Sequence, residues 1–474
     1  MANLIGADNR FGKDFGHPGP NMQGNIVALY DIGCVVGAIT TYIVGERLGR
    51  RTMLILGGSI MILGTAILAS SFSIAQLIVG RFVTGIGNGM NSSTAPVYQS
   101  ECSPSSFRGA LLSSQGTVTI LGVVIAYWLG YGTSFTDSPA QWRFPLAFQA
   151  FFATCLVLQV IGLPETPRWL VAHDRDEEAR QVISDLTDLP LHDVQVHRVI
   201  LDIRSGVEEE QKGGPFKIQE LFYMGKSQNF RRLLLTISIE FIQKFSGSNM
   251  INYYGPVMYQ ENMGLSRNLS LILGGCTQIA YLFGSAIPLF VMDRYGRRNL
   301  LMFSVGGLFL CMLMVSILLG AGNGAKGPAY GATACIFLYQ IFYGVGLLPV
   351  PWFYPSEINT TRVRARLSSI ASAWNWMFVF TIVKITPISF ANIGWRTFII
   401  YTVLNFAFVP FMYCFYPETK GLELEDISLL FEKGGLTGGV FYAKGGRTVE
   451  PHQHALNLNL DSKLEREEVE QRIE

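Results

Sequence analysis

The chain has 474 residues, 49% of them hydrophobic and 15% charged, with a formal net charge of +1 and a mean hydropathy of +0.30. Average soluble domains carry about 25% charged residues, and a balanced charge gives no footprint for a nucleic-acid partner. Apolar stretches of membrane-crossing length, about 20 residues each, recur too often for the buried helices of a soluble enzyme, so a polytopic all-α membrane protein is expected.

In chain order the spans are expected near 25–45, 53–72, 76–98, 110–132 and 144–163, then near 231–256, 270–292, 299–320, 330–353, 367–390 and 396–416. Arginine clusters mark alternate connections: Arg47, Arg50 and Arg51; Arg108; Arg168 to Arg180; Arg294, Arg297 and Arg298; Arg362, Arg364 and Arg366. The intervening loops near 70–76, 133–142 and 321–329 carry almost no basic residues. The positive-inside bias places the Arg-rich loops in the cytosol, residues 1–23 outside and the tail inside. The expected organisation is an N-terminal bundle over 1–163, a cytosolic linker with short helices over 164–229, a six-span bundle over 230–431 and a polar cytosolic tail over 432–474.

The cysteines Cys34, Cys155, Cys276, Cys311, Cys335 and Cys414 fall in spans and Cys102 at a cytosolic edge, which is no disulfide framework. All six histidines lie outside the spans without metal-ligand spacing, and no phosphate-binding glycine loop is present. Neither a catalytic role, a metal nor a cofactor is expected. "GIGNG" at 85–89 reads as small residues that let helices pack closely.

The sixth span contains "IEFIQKFSGSNMINYYG" (239–255), an apolar stretch interrupted by Glu240, Gln243, Lys244, Asn249 and Asn252. Lys244 lies about 20 Å along its helix at 1.5 Å per residue, too deep for snorkelling, where a lysine costs about 2.5–3.5 kcal/mol. Glu240 stands four residues earlier, in the orientation that favours an i,i+4 ion pair. The pair reads either as mutual neutralisation beside a cavity or as functional. In the functional reading Glu240 takes part in proton coupling, or Lys244 meets an acidic substrate. "SGSN" is expected to break the helix, which is tolerated at this depth where backbone lines a cavity.

The chain also repeats itself. "GERLGRR" (45–51) recurs as "DRYGRR" (293–298), "YQSECSPSSFR" (98–108) as "YPSEINTTRVR" (354–364) and "PETPR" (164–168) as "PETKG" (417–421), all at nearly one spacing. Two homologous halves are the arrangement of many secondary transporters. Glu46, Arg50, Glu101 and Arg108 in the first half, with Asp293, Arg297, Glu357 and Arg364 in the second, are expected to form a charge network that closes the cytosolic side. The second half has six expected spans and the first five, so the chain as written is expected to lack its first span.

With these motifs the sequence resembles a sugar porter of the major facilitator superfamily over 24–432, and within it the fungal hexose and polyol proton symporters, the yeast glycerol type included. "PETPRWL", "SGSNMINYY", "PVPWFYPSEI" and "PETKGLELEDI" carry the resemblance together with the two arginine loops. It implies the two-bundle major facilitator fold, with about eleven of the usual twelve spans here, and alternating access around a central substrate. It also implies a monomer in the plasma membrane that carries a monosaccharide or polyol with protons.

The resemblance places substrate contacts at Gln243, Lys244, Asn249 and Tyr253, at Tyr281, at Trp352, and at Asn375 and Trp376. Amides offer donors and acceptors to hydroxyls, and indole rings pack on the apolar face of a pyranose. The family's glutamine position in the span 110–132 holds Gly116, with Gln115 one residue before it and turned by about 100°. Related symporters pair an acid of the first span with an arginine of the fourth, here Arg81. The expected partner of Arg81 lies in the span the chain is expected to lack. A non-transporting nutrient sensor, an inactive truncated transporter and facilitated diffusion are the alternatives.

Overall fold

The computed structural model describes residues 9–420 apart from 104–107, 212–217, 226, 323, 324 and 360, together with Phe431, Thr437 and Val440. Among the described residues it is an all-helical protein.

The first half consists of a short α1 (Arg10–Phe15) followed by α2 (Pro20–Leu48), α3 (Arg50–Ala69), α4 (Ile74–Cys102), α5 (Arg108–Thr133) and α6 (Ala140–Ile161). Three small helices follow, α7 (Pro167–Ala172), α8 (Asp176–Thr187) and α9 (Val194–Gln211). The second half begins with α10 (Asn229–Phe245) and α11 (Ser248–Val257), then α12 (Arg267–Ala286), α13 (Pro288–Tyr295) and α14 (Arg297–Ala321). It closes with α15 (Lys326–Val345), α16 (Val350–Ile358), α17 (Thr361–Ile393) and α18 (Thr397–Phe415).

Eight stretches are long and apolar enough to cross a membrane by themselves, and one of these, Arg366–Phe415, holds two helices. The remaining two expected spans are α4, diluted by Arg81, Asn88 and Asn91, and the pair α10–α11, rich in the polar groups noted above. The helices keep large apolar side chains on their outer faces, such as Phe290 (82% exposed), Phe283 and Leu158. In water such a surface would aggregate; hydrocarbon is its natural solvent. This is a multi-pass membrane protein.

Glycine sets the spacing inside the first bundle. Gly33 and Gly37 of α2 face Gly85 and Gly89 of α4, and a Cβ on any of the four would collide with backbone of the facing helix. Two facing small-xxx-small stripes thus bring the backbones together, and they hold Asp31 and Arg81 at fixed positions between them. The two halves meet where α2 packs on α17 and α5 on α12.

Candidate functional site

The site is built around the break between α10 and α11. Phe245 ends the first helix, Gly247 turns the chain at φ +110°, and Ser248 starts the second. The break expected from "SGSN" is therefore present, with Gln243 in the last turn of α10 before it and Asn249 in the first turn of α11 after it.

Gln243 is buried and donates from Nε2 to the carbonyls of Leu347 (2.6 Å) and Leu348 (3.3 Å), in the connection between α15 and α16. Asn375 on α17 donates to Glu240 Oε2 (2.7 Å) and to Gln243 Oε1 (3.4 Å). One amide thus bridges an acid and a second amide on the face of α10. Lys244 is buried next to them, and among the described residues its ammonium makes no direct ion pair or hydrogen bond, with Glu240 or any other group. The i,i+4 spacing allowed a Glu240–Lys244 contact, but Glu240 turns toward Asn375 instead.

Two donors near this network lack a partner among the described residues: Asn249 Nδ2 and Trp376 Nε1, both buried. Trp376 meets the Tyr30 ring of α2 edge-on at 6.3 Å, and Tyr253 packs against the apolar core beside it. Tyr281 is buried on α12 and meets Tyr343 edge-on at 5.6 Å. One turn before it Gln278 is fully buried, and neither amide atom has a partner among the described residues. Trp352 on α16 is 37% exposed, unlike the other expected contacts. Gln115 is half-buried on α5, whereas Gly116 is the position that faces Leu348 across the interface.

Arg81 is buried on α4 and is held by α2: it donates to the carbonyls of Ile26 (3.3 Å) and Val27 (2.9 Å) and lies 4.4 Å over the Tyr30 ring. Sequence reading passed over Asp31 on the same helix, which is fully buried, with neither carboxylate oxygen partnered among the described residues. The signal was available, since an acid in the middle of an apolar span is a functional hypothesis by default. Asn252 was also given no role, although it donates to Ser248 (3.0 Å), accepts from Gln340 (2.5 Å) and offers its carbonyl to Tyr127 of the other half (2.5 Å).

At the Arg-rich end the charges pair within each half. Arg50 meets Glu101 at 3.2 Å and Arg297 meets Glu357 at 3.1 Å. Glu165 accepts from the backbone N–H groups of Arg50 and Arg51, and Glu418 from those of Arg297 and Arg298. The repeated "PET" motifs therefore supply the acids that cap α3 and α14, a role not read from sequence. Glu46 is exposed, and its carbonyl accepts from Trp169 Nε1 (2.8 Å). The side chains of Arg108, Asp293 and Arg364 lie outside the described residues. At the opposite end Lys384 of α17 donates to the Asn21 carbonyl (3.1 Å), to Asn21 Oδ1 (2.5 Å) and to Asn25 Oδ1, joining the halves through α2.

Comparison with known proteins gives one consistent picture. The family model described as sugar (and other) transporter matches residues 11–431. The chain is 41% identical over 408 residues to the MFS-type transporter oryC of Aspergillus oryzae, covering 85% of this chain and 76% of that protein. It is 35% identical over 465 residues to the sugar transporter STL1 of Saccharomyces cerevisiae, covering 96% and 81%. Among solved structures, the proton:xylose symporter XylE bound to 6-bromo-6-deoxy-D-glucose superposes with a TM-score of 0.75 at 21% identity, covering 91% of this chain and 96% of that one. The inward open conformation of the xylose transporter XylE from E. coli gives 0.70 at 21% identity, covering 87% and 89%.

Proposed function

The chain belongs to the sugar (and other) transporter family, and from that premise we propose that it carries a monosaccharide or polyol across the plasma membrane by proton symport. The two bundles rock around a central site so that it opens to one side at a time. The Arg-rich end is the cytosolic one by the positive-inside bias. The protein acts as a monomer.

The observation that carries this reading is the pair of buried, unpartnered donors, Asn249 Nδ2 and Trp376 Nε1, beside the Gln243–Asn375 amides. An unsatisfied buried donor costs about 1–3 kcal/mol, and hydroxyl oxygens would supply the acceptors. The Trp376 and Tyr253 rings offer apolar faces to carbon-bound hydrogens, so the site suits a ligand with both hydroxyls and an apolar face. Names of relatives and neighbours add support: one is a sugar transporter and another a proton:xylose symporter.

Uptake of radiolabelled D-glucose, D-xylose and glycerol by proteoliposomes holding the full chain tests the reading. Accumulation above equilibrium that follows an imposed pH gradient and collapses with a protonophore is the expected result. Equilibration without accumulation would replace symport by facilitated diffusion. Saturable binding with no flux would favour a sensor.

A further inference from the structure

Two contacts fix how α2 of the first half lies against α17 of the second. Gly24 faces Lys384, where an added Cβ would press on backbone, and Lys384 donates to Asn21 and Asn25. Further along α2, the Tyr30 ring meets the Trp376 ring edge-on at 6.3 Å. A step forward on α2 is therefore a step back on α17, and the two packed helices run antiparallel. Asp31 follows Tyr30 directly and stands two turns from Gly24, hence on the same face of α2 and level with Trp376.

Asp31 is fully buried, and among the described residues neither carboxylate oxygen has a hydrogen-bond partner. Trp376 Nε1 is a buried donor in the same condition. Native proteins rarely leave buried polar groups so, and here an acceptor and a donor share one level of one seam. The neighbours that could have answered them are engaged elsewhere. Arg81 donates to the carbonyls of Ile26 and Val27 and covers Tyr30, and Asn375 donates to Glu240 and Gln243. Whatever fits between the two must donate to a carboxylate and accept from an indole N–H. A hydroxyl does both with one oxygen. A cation would answer the acid and leave the N–H bare, and an apolar group would answer neither.

We propose that Asp31 reads the substrate: with Trp376 it clamps one hydroxyl of the transported sugar or polyol, which donates to the carboxylate and accepts from the indole. The inference rests on the transport reading above. Hydrogen bonds to an ionised acceptor are the strong ones, and a buried acid left bare by a missing hydroxyl pays its full desolvation. The clamp therefore selects substrates that carry a hydroxyl at that carbon against those that lack it. It also joins the halves through the substrate, since Asp31 belongs to the first and Trp376 to the second.

The test uses wild type, D31L and W376F of the full chain in proteoliposomes exchanging D-glucose and glycerol by counterflow. Inhibition is measured with the parent substrates, the monodeoxy analogues of D-glucose and the two propanediols. In wild type one analogue is expected to bind tenfold or more weaker than its parent, and that same penalty should shrink at least threefold in D31L and in W376F. A purely structural role, or a bound water in the clamp, would weaken parent and analogues alike. Penalties in D31L that all match wild type overturn the proposal, as does a wild type that distinguishes no analogue from its parent. If D31L and W376F relax the penalties of different analogues, the two residues share no hydroxyl and the clamp is overturned. Wild type that exchanges neither parent overturns the transport reading and the clamp with it. Should D31L fail to fold or to exchange, D31N decides: a reduced penalty for one analogue supports the proposal, and unchanged penalties overturn it.

Discussion

Glu165 occupies the space that a side chain on Gly49 would fill, and Glu418 does the same for Gly296. Both glycines have left-handed φ, +85° and +86°, in the connections between α2 and α3 and between α13 and α14. Each acid accepts two backbone N–H groups at the start of the following helix, where the helix dipole favours negative charge. Substituting Glu165 by Gln removes the charge but keeps an acceptor, so a loss of about 1 kcal/mol is expected; Ala, which removes both, should cost about twice that. Thermal unfolding in detergent checks the order. An E165A protein as stable as wild type would refute the capping role.

Asn375 holds together two groups that the site needs close, Glu240 at 2.7 Å and Gln243 at 3.4 Å. Asn375→Asp would set a second carboxylate against Glu240 in a buried position, where like charges repel strongly. A loss of counterflow of tenfold or more is expected. The double variant N375D/E240Q should recover a substantial part, because the amide then sits on the other helix. No recovery would mean that the contact with Glu240 is not what makes Asn375 important.

Much of this was legible in the sequence. Span length, arginine loops and the doubled motifs carry the two-bundle architecture, because hydrocarbon and backbone satisfaction leave a polytopic chain little choice. The break at Gly247 was readable from its glycine. What escaped were pairings between distant segments. Glu240 turns to Asn375, not to Lys244, because α17 brings an amide 135 residues away to its oxygen. The charges at the Arg-rich end pair inside each half, a choice between equally spaced candidates that only packing decides.

Lys384 joins α17 to α2 at the end away from the arginine loops, and Gly24 lets the helices approach there, since a Cβ would press on the Lys384 backbone. Lys384→Met keeps the bulk of the side chain and removes the three donated bonds. If that cluster holds the end shut, breaking it shifts the population toward a state open there. Backbone hydrogen exchange of peptides over 20–30 and 380–393 should then speed up several-fold. Unchanged exchange in both peptides would show that the contact does not lock the halves.

The Arg50–Glu101 and Arg297–Glu357 pairs each lie inside one half and bind the start of one helix to the end of another. Their side chains are only 12–20% exposed, so they should exceed the 0.2–1 kcal/mol typical of exposed pairs. Glu357 also accepts from the Thr419 hydroxyl at 2.6 Å, whereas among the described residues the Oε2 of Glu101 has no partner. Breaking Arg297–Glu357 by Arg297→Met leaves Glu357 that second partner, whereas Arg50→Met leaves Glu101 with one oxygen already unpartnered and the other newly so. Arg50→Met is therefore expected to be the more destabilising, by about 1 kcal/mol, the cost of an extra unsatisfied buried group. A double-mutant cycle of R50M with E101Q, read by thermal unfolding, measures the first pair, and the matching cycle of R297M with E357Q measures the second. Equal losses for R50M and R297M would remove the distinction between the two halves.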